Sequence, residues 1–409
     1  IQAGLAWLAT QQTASGTYKG NWGGSSGHRG GITGLILTKF AERAHELGQN
    51  PFDTTSYQYA QETIDGFQWL IDQMYSSGGG LRIDAGNNPG YVTGLAMTAM
   101  AATKAPDRVH TSTNAAVNGK TYDEILQGLV VYSESAQETS GAETGAWHYH
   151  GGHYGGDNSP CGYTVLGLRA AEAANVLPAG TPGAWVKAFT IVIQQITKTR
   201  LKTWVDFIQH DTNGGSGYEY SSQYQNLLKT GNLLFEATFA ASGDADPAAW
   251  YQSRVDNAIK YIQTNWNATH SYWWRVGWRT NNSLNLQTMY NLMKGLAGIG
   301  RDRLDIANPN NTVEPTDPAG IDWFGGDLQF AERLVSTQQA GGNWSNYYDA
   351  GGDLTATAWA LLTLEKLAPP PATTVEIELD GEFCVDLTGE GVPYSIDITY
   401  ASQTANVEG

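Results

Sequence analysis

Gly4-Leu5-Ala6-Trp7-Leu8-Ala9-Thr10-Gln11-Gln12, followed by Gly20-Asn21-Trp22-Gly23-Gly24, opens the chain. The same pattern returns near the other end as Ala331-Glu332-Arg333-Leu334-Val335-Ser336-Thr337-Gln338-Gln339 and Gly341-Gly342-Asn343-Trp344. Both copies read as a helix ending in glutamine, then a glycine turn, then a tryptophan. Weaker copies lie between them. Phe67–Gln73 precedes Gly78-Gly79-Gly80-Leu81, and a segment ending at Gln137 precedes Gly145-Ala146-Trp147. Ile193-Gln194-Gln195 leads, after an insertion, to Gly214-Gly215, and Tyr261-Ile262-Gln263 leads to Tyr272-Trp273-Trp274. Glutamines 12, 73, 137, 195, 263 and 339 stand 61, 64, 58, 68 and 76 residues apart, a spacing that divides the chain into six units.

Each unit carries a second helical segment after its glycine loop. Thr33-Gly34-Leu35-Ile36-Leu37, Thr93-Gly94-Leu95-Ala96-Met97, Thr164-Val165-Leu166-Gly167-Leu168 and Thr357-Ala358-Trp359-Ala360-Leu361 share a Thr-small-large-small-large character. Such segments are apolar nearly all round and are expected to be buried, whereas the glutamine-ended helices keep a polar face. Helix pairs that cannot bury their apolar faces alone must stack on one another. The expectation is an all-α fold, an (α/α)6 toroid of six helical hairpin repeats over residues 1–367.

The Trp/Leu…Gln…Gly-x-Trp pattern resembles the QW repeat of squalene-hopene and related triterpene cyclases. The same toroid occurs in the beta subunits of protein prenyltransferases, in complement thioester domains and in cobalamin carriers. The resemblance spans about residues 1–367 and is clearest in the first and last units. It implies that Gln11, Trp22, Gln338 and Trp344 are structural, each glutamine and indole tying an outer helix to the next loop. It is specific for fold and much less so for activity.

Composition narrows the partners. The chain of 409 residues has 23 Lys+Arg against 40 Asp+Glu, a net charge of −17, which disfavours nucleic acid and anionic membranes. No apolar run reaches the roughly 18–20 residues of a membrane-spanning helix. The sequence opens at Ile1 inside an amphipathic pattern, as if its start were trimmed. Few lysines, many Asn, Thr and Gly, and sequons at Asn267, Asn281, Asn310 and Asn343 have the character of a secreted, periplasmic or cell-surface protein. Cys161 and Cys384 are too few for a disulfide scaffold.

Beyond residue 367 the character changes. Residues 368–373 form a proline-rich linker around Pro369-Pro370-Pro371. Residues 374–409 read as a β tail or the start of a small β-domain. Thr374–Leu379, Phe383–Leu387 and Tyr394–Tyr400 alternate as strands, and Asp380-Gly381 is a hairpin signal. So short a segment invites self-association or strand addition to another surface protein.

The strongest chemical signal is Trp147-His148-Tyr149-His150-Gly151-Gly152-His153-Tyr154-Gly155-Gly156-Asp157-Asn158-Ser159-Pro160-Cys161. His148, His150, His153, Asp157 and Cys161 are of the types that bind zinc. Prenyltransferases hold catalytic zinc with Asp, Cys and His, but their Asp-x-Cys spacing is not met here. The competing reading is a tyrosine- and histidine-rich repeat loop, with Asp157 or Ser159 capping a helix that starts after Pro160. Trp273, Trp274 and Trp278, with Arg275 and Arg279, suit ligand stacking or, alternatively, cation–π bracing of the fifth loop. His210-Asp211 is a weak acid/base candidate.

The resemblance also fixes what is missing. Proton-initiated cyclases use an Asp-x-Asp-Asp cluster, and the matching stretch Gly351–Ala358 retains only Asp353, which suits a helix N-cap. No Asp-Asp-x-x-Asp is present, and Pro160-Cys161-Gly162-Tyr163 lacks the Glu-Gln of a thioester loop. The preferred function is a non-catalytic binding or assembly module with an apolar molecule or a glycan in the toroid mouth. The alternatives are a cyclase- or prenyltransferase-type enzyme acting on an isoprenoid, a glycan-active α/α barrel, and a corrinoid-type carrier.

Overall fold

The computed structural model describes residues 1–83, 85, 88–177, 183, 185–242, 248–269, 277–279, 283–316, 318–345, 351–366, 395–397 and 406–408. Residues Ile1–Ala372 form one compact unit and Thr373–Gly409 another. The first is helical. Among the described residues it holds α1 (Gln2–Thr10), α2 (Arg29–Glu46), α3 (Ala60–Asp72), α4 (Pro89–Ala102), α5 (Tyr122–Ser135) and α6 (Asn158–Ala173). The series continues with α7 (Gln195–Ile208), α8 (Leu227–Ala241), α9 (Ala248–Asn265), α10 (Leu286–Gly298), α11 (Phe330–Thr337) and α12 (Gly352–Leu364).

Burial alternates along the chain. Thirteen of the 14 residues of α4 are buried, but only Phe330 and Leu334 of the eight in α11. The even-numbered helices are each other's neighbours: α2 packs on α4, α4 on α6, α6 on α8, α8 on α10, α10 on α12, and α12 on α2. The small residues of the Thr-small-large pattern sit where these helices cross. A Cβ on Gly94 would lie 2.3 Å from the Tyr163 carbonyl oxygen, and one on Gly167 would lie 2.4 Å from that of Gly94. Helix starts are set by local chemistry. Thr121 and Glu124 form a reciprocal capping box on α5, and Asn226 and Asn285 accept from the Lys229 and Thr288 amides at the starts of α8 and α10.

Tryptophans and glutamines join the odd helices to the rest. The indole N–H of Trp22 donates to Leu8 O at 2.7 Å, that of Trp147 to Ser133 O at 2.7 Å, and that of Trp344 to Leu334 O at 2.8 Å. The backbone N–H of Trp22 donates to the Thr33 hydroxyl, and that of Trp344 to the Thr357 hydroxyl. Each tryptophan therefore fastens an odd helix to the even helix after it. Both Trp22 and Trp344 are buried.

Glutamine amides make the next link. Gln12 donates to Gly20 O and to Glu62 O in α3; Gln137 to Gly145 O and Thr197 O in α7; Gln209 to Gly214 O and Arg254 O in α9. Gln338 donates to Gly342 O at 2.7 Å. Gly342 has φ +95, and its missing Cβ would lie 2.4 Å from Ala3 O in α1, so the last loop lies directly on the first helix. Only glycine combines that dihedral with that contact.

Two glutamine assignments change. The tie is made by Gln12, whereas the exposed Gln11 only donates to its neighbour Thr10. Gln195 is the first residue of α7, so the fourth unit closes at Gln209, one helix later. The second glycine turn is a hairpin, β1 (Met74–Ser77) paired antiparallel with β2 (Gly80–Ile83). A two-residue pair, β3 (Arg303–Leu304) with β4 (Ile321–Asp322), precedes α11.

In the second unit β5 (Ser395–Asp397) pairs antiparallel with β6 (Asn406–Glu408). The first falls inside the expected Tyr394–Tyr400 strand, and β6 was not anticipated. The expected strands at 374–379 and 383–387 lie outside the described residues.

Candidate functional site

A cavity of about 440 Å³ opens where the even helices begin. Gly31, Ile32 and Leu35 of α2, Tyr91, Val92 and Leu95 of α4, and Ser159 of α6 contribute to its wall. Gln287 of α10 and Thr355 and Trp359 of α12 do likewise, with His28, Asn88, Tyr149 and His150 from the loops. The burial pattern explains this gathering. Once these even helices touch along their lengths, side chains from the N-terminal halves of α2, α4, α6, α10 and the neighbouring part of α12 face one shared end.

A hydroxyl and amide network runs through the wall. Gln287 Nε2 lies 3.4 Å from both the Tyr91 and Tyr163 hydroxyls, whose rings are 4.3 Å apart. The rings of Tyr91 and Tyr149 are nearly parallel, with centroids 6.4 Å apart. The Tyr149 hydroxyl meets that of Tyr218 at 3.0 Å, and Tyr218 in turn bonds the Asp157 carboxyl. Burial pushes Asp157 up to about 7 and Tyr149 up to about 12, while burial pulls Lys229 down to about 7.

Trp359 is 3% exposed, and its indole N–H has no acceptor among the described residues. The Asn88 side chain makes no cap hydrogen bond at the start of α4.

The histidine loop is only partly in this wall. His150 lines the cavity, and its ring stands 5.2 Å from that of His148 and 6.2 Å from that of Tyr154. Burial, with the neighbouring His150, holds His148 below the usual imidazole range. His153 turns instead to Glu138, at 3.4 Å.

Asp157 is the N-cap of α6, its carboxylate accepting from the Ser159 amide, and the helix starts two residues ahead of Pro160. Cys161 is fully buried; its sulfur accepts from the Trp147 amide at 3.0 Å. That is the bond Thr33 and Thr357 make to Trp22 and Trp344, so the cysteine stands where those helices have a threonine. Burial raises its thiol well above the ordinary range. Among the described residues no group of three or more His, Cys, Asp or Glu is arranged to hold a metal. His148, His150, His153, Asp157 and Cys161 are not brought together as one ligand set among the described residues.

Trp278 is fully buried, donating its N–H to Trp266 O and packing edge-on against Phe330, with Arg279 over its ring at 4.7 Å. Trp273 and Trp274 lie outside the described residues. Asp353 sits in the first turn of α12, where Gly351 is the N-cap, and accepts from the Asn343 amide at 2.9 Å. No helix among the described residues is long and apolar enough to cross a membrane.

Tyr91, Asn88 and Gln287 are absent from the residues the sequence singles out, and Trp359 is quoted there only as part of a buried helix. A signal exists for three of them. Tyr91, Gln287 and Trp359 stand one or two residues from the buried threonines Thr93, Thr288 and Thr357 that mark the even helices. No protein-family model matches the chain, and no curated protein matches it.

Proposed function

We propose that residues 1–367 form a closed (α/α)6 toroid that works as a non-catalytic, secreted or surface-displayed binding module. Its ligand site is the cavity at the helix starts, and its ligand is uncharged. The cyclic order of helix neighbours and the seating of Gly342 on α1 support the ring. The observation that carries the function is the lining, which among the described residues contains aromatic, hydroxyl, amide and imidazole groups but no carboxylate, thiol or amine. Neither His28 nor His150 hydrogen-bonds a carboxylate among the described residues. A volume of about 440 Å³ lies within the usual range for small-molecule pockets.

The tail from 374 onward is proposed to pair with a second copy or another surface protein. The β5–β6 pair is too small to be stable alone, and each strand has one unpaired edge among the described residues.

Ligand-observed NMR with uncharged fragments (cyclic polyols, aliphatic and aromatic alcohols) tests the site. Saturation transfer is expected with the full chain, and at least tenfold weaker binding with Leu95→Trp, which fills the cavity. Deleting 374–409 is expected to leave fragment binding unchanged while removing self-association. Binding indifferent to Leu95→Trp would place the ligand elsewhere.

A further inference from the structure

We infer that Asn267 and Asn310 carry N-linked glycans and that Asn343 carries none. This rests on the proposed export of the chain and names what is attached to it on the way. Asn267-Ala268-Thr269, Asn310-Asn311-Thr312 and Asn343-Trp344-Ser345 all have the acceptor spacing, with no proline in the middle. The structure separates them. Asn281, in the remaining triplet of this kind, lies outside the described residues.

Asn267 and Asn310 are exposed, and each is the third residue of a hydrogen-bonded turn. The Ala268 amide donates to Asn265 O at 2.9 Å, and the Asn311 amide donates to Asn308 O at 2.9 Å. Such turn tips stand clear of the packed helices, where a transferase can reach the side chain. The glutamine tie of the fifth repeat fixes the second turn. Gln263 in α9 donates to Pro309 O at 3.1 Å and to Asn311 O at 2.9 Å, which holds the backbone on both sides of the exposed Asn310. At Asn267 the side-chain oxygen accepts from Arg279 at 2.8 Å, and the sugar is taken by the nitrogen at the other end of the amide. Both sites stand by the end of α9, so two glycans would cover that edge and bar it to protein partners.

Asn343 differs on each count. It is 7% exposed, and its amide nitrogen donates to the Asp353 carboxylate at 2.9 Å. The middle residue of its triplet is the buried Trp344. A sugar on that nitrogen has no room in the folded chain.

The sugar donor is a lipid-linked oligosaccharide diphosphate. The amide nitrogen attacks C1 of its first sugar and gives up one proton. The C1–O bond to the diphosphate breaks, and the lipid diphosphate leaves with the bonding pair.

Glycopeptide mass spectrometry of the protein recovered from the medium or envelope of the cells that make it is the test. Sugar is expected on the Asn267 and Asn310 peptides, with the Asn343 peptide bare. Asn267→Gln and Asn310→Gln should each remove the mass of one glycan, and Thr312→Ala should act as Asn310→Gln does. Exported protein with either peptide bare would overturn the inference at that site and keep the export. A chain found only in the cytoplasm would overturn both. Sugar on Asn343 of the folded protein would overturn its exclusion.

Discussion

Valine in place of Gly94 is expected to leave the chain unfolded or nearly so at 25 °C. The first added carbon would lie 2.3 Å from the Tyr163 carbonyl oxygen and 2.6 Å from its carbon, both backbone atoms that no side-chain rotation can move aside. Helices α4 and α6 would have to separate. The same crossing also seats Gly167 on the Gly94 carbonyl, so separation would loosen contacts on both sides. Overpacking alone costs about 1–3 kcal/mol, and backbone clashes fall in the tail above about 4 kcal/mol. Against a total stability of about 5–15 kcal/mol, that is a large share. Urea titration followed by circular dichroism measures it. Ala6→Val, on an exposed position of α1, is the control and should cost under about 0.7 kcal/mol. A Gly94→Val protein within about 1 kcal/mol of the parent would mean that α4 and α6 do not cross here.

Truncating Trp344 to alanine is expected to cost about 3–5 kcal/mol and to loosen the first helix along with the last. The ring is buried, its N–H holds Leu334 O, and its own amide holds the Thr357 hydroxyl. Its ring also lies 3.1 Å from where a Cβ on Gly4 would stand, which couples the last repeat to α1. Hydrogen exchange should therefore accelerate at the amides of Leu5 and Leu8 as well as in α11 and α12. Trp22→Ala should cost a similar amount, since Trp22 makes the same pair of bonds to Leu8 and Thr33. Protection of α1 left unchanged by Trp344→Ala would mean that the two ends of the helical unit are energetically separate.

Much of the helical pairing is legible in the sequence, and the reasons are local. In the first and last units a helix end, a glycine at positive φ and a tryptophan lie within about a dozen residues of one another, so the bonds that join them connect near neighbours. Unit four breaks that compactness. Gln194-Gln195 imitates the doublet at Gln11-Gln12, yet it opens a helix where the other closes one, and only the helical phase distinguishes them. The same phase decides why Gln12, and not Gln11, reaches Glu62.

Cys161 illustrates a different limit. A rare thiol beside three histidines suggests a ligand set, but its bond to Trp147 is the one threonine makes in other repeats. Comparing equivalent positions across repeats reveals this; residue type alone does not. The cavity is harder still. Its wall runs from Gly27 to Trp359, contributed by helix segments and loops that become neighbours only when the helices assemble. No local spacing encodes that gathering.

The proposed closed ring is tested most directly by the distance between its ends. Spin labels on Ala6→Cys in α1 and Ser336→Cys in α11, with Cys384→Ser and the buried Cys161 left in place, can be measured by pulsed dipolar spectroscopy. A closed ring sets these two helices side by side, and the expected distribution is narrow and centred below roughly 30 Å. Six helix pairs in an open superhelix would hold them roughly 50 Å apart or more, and that result would contradict the ring.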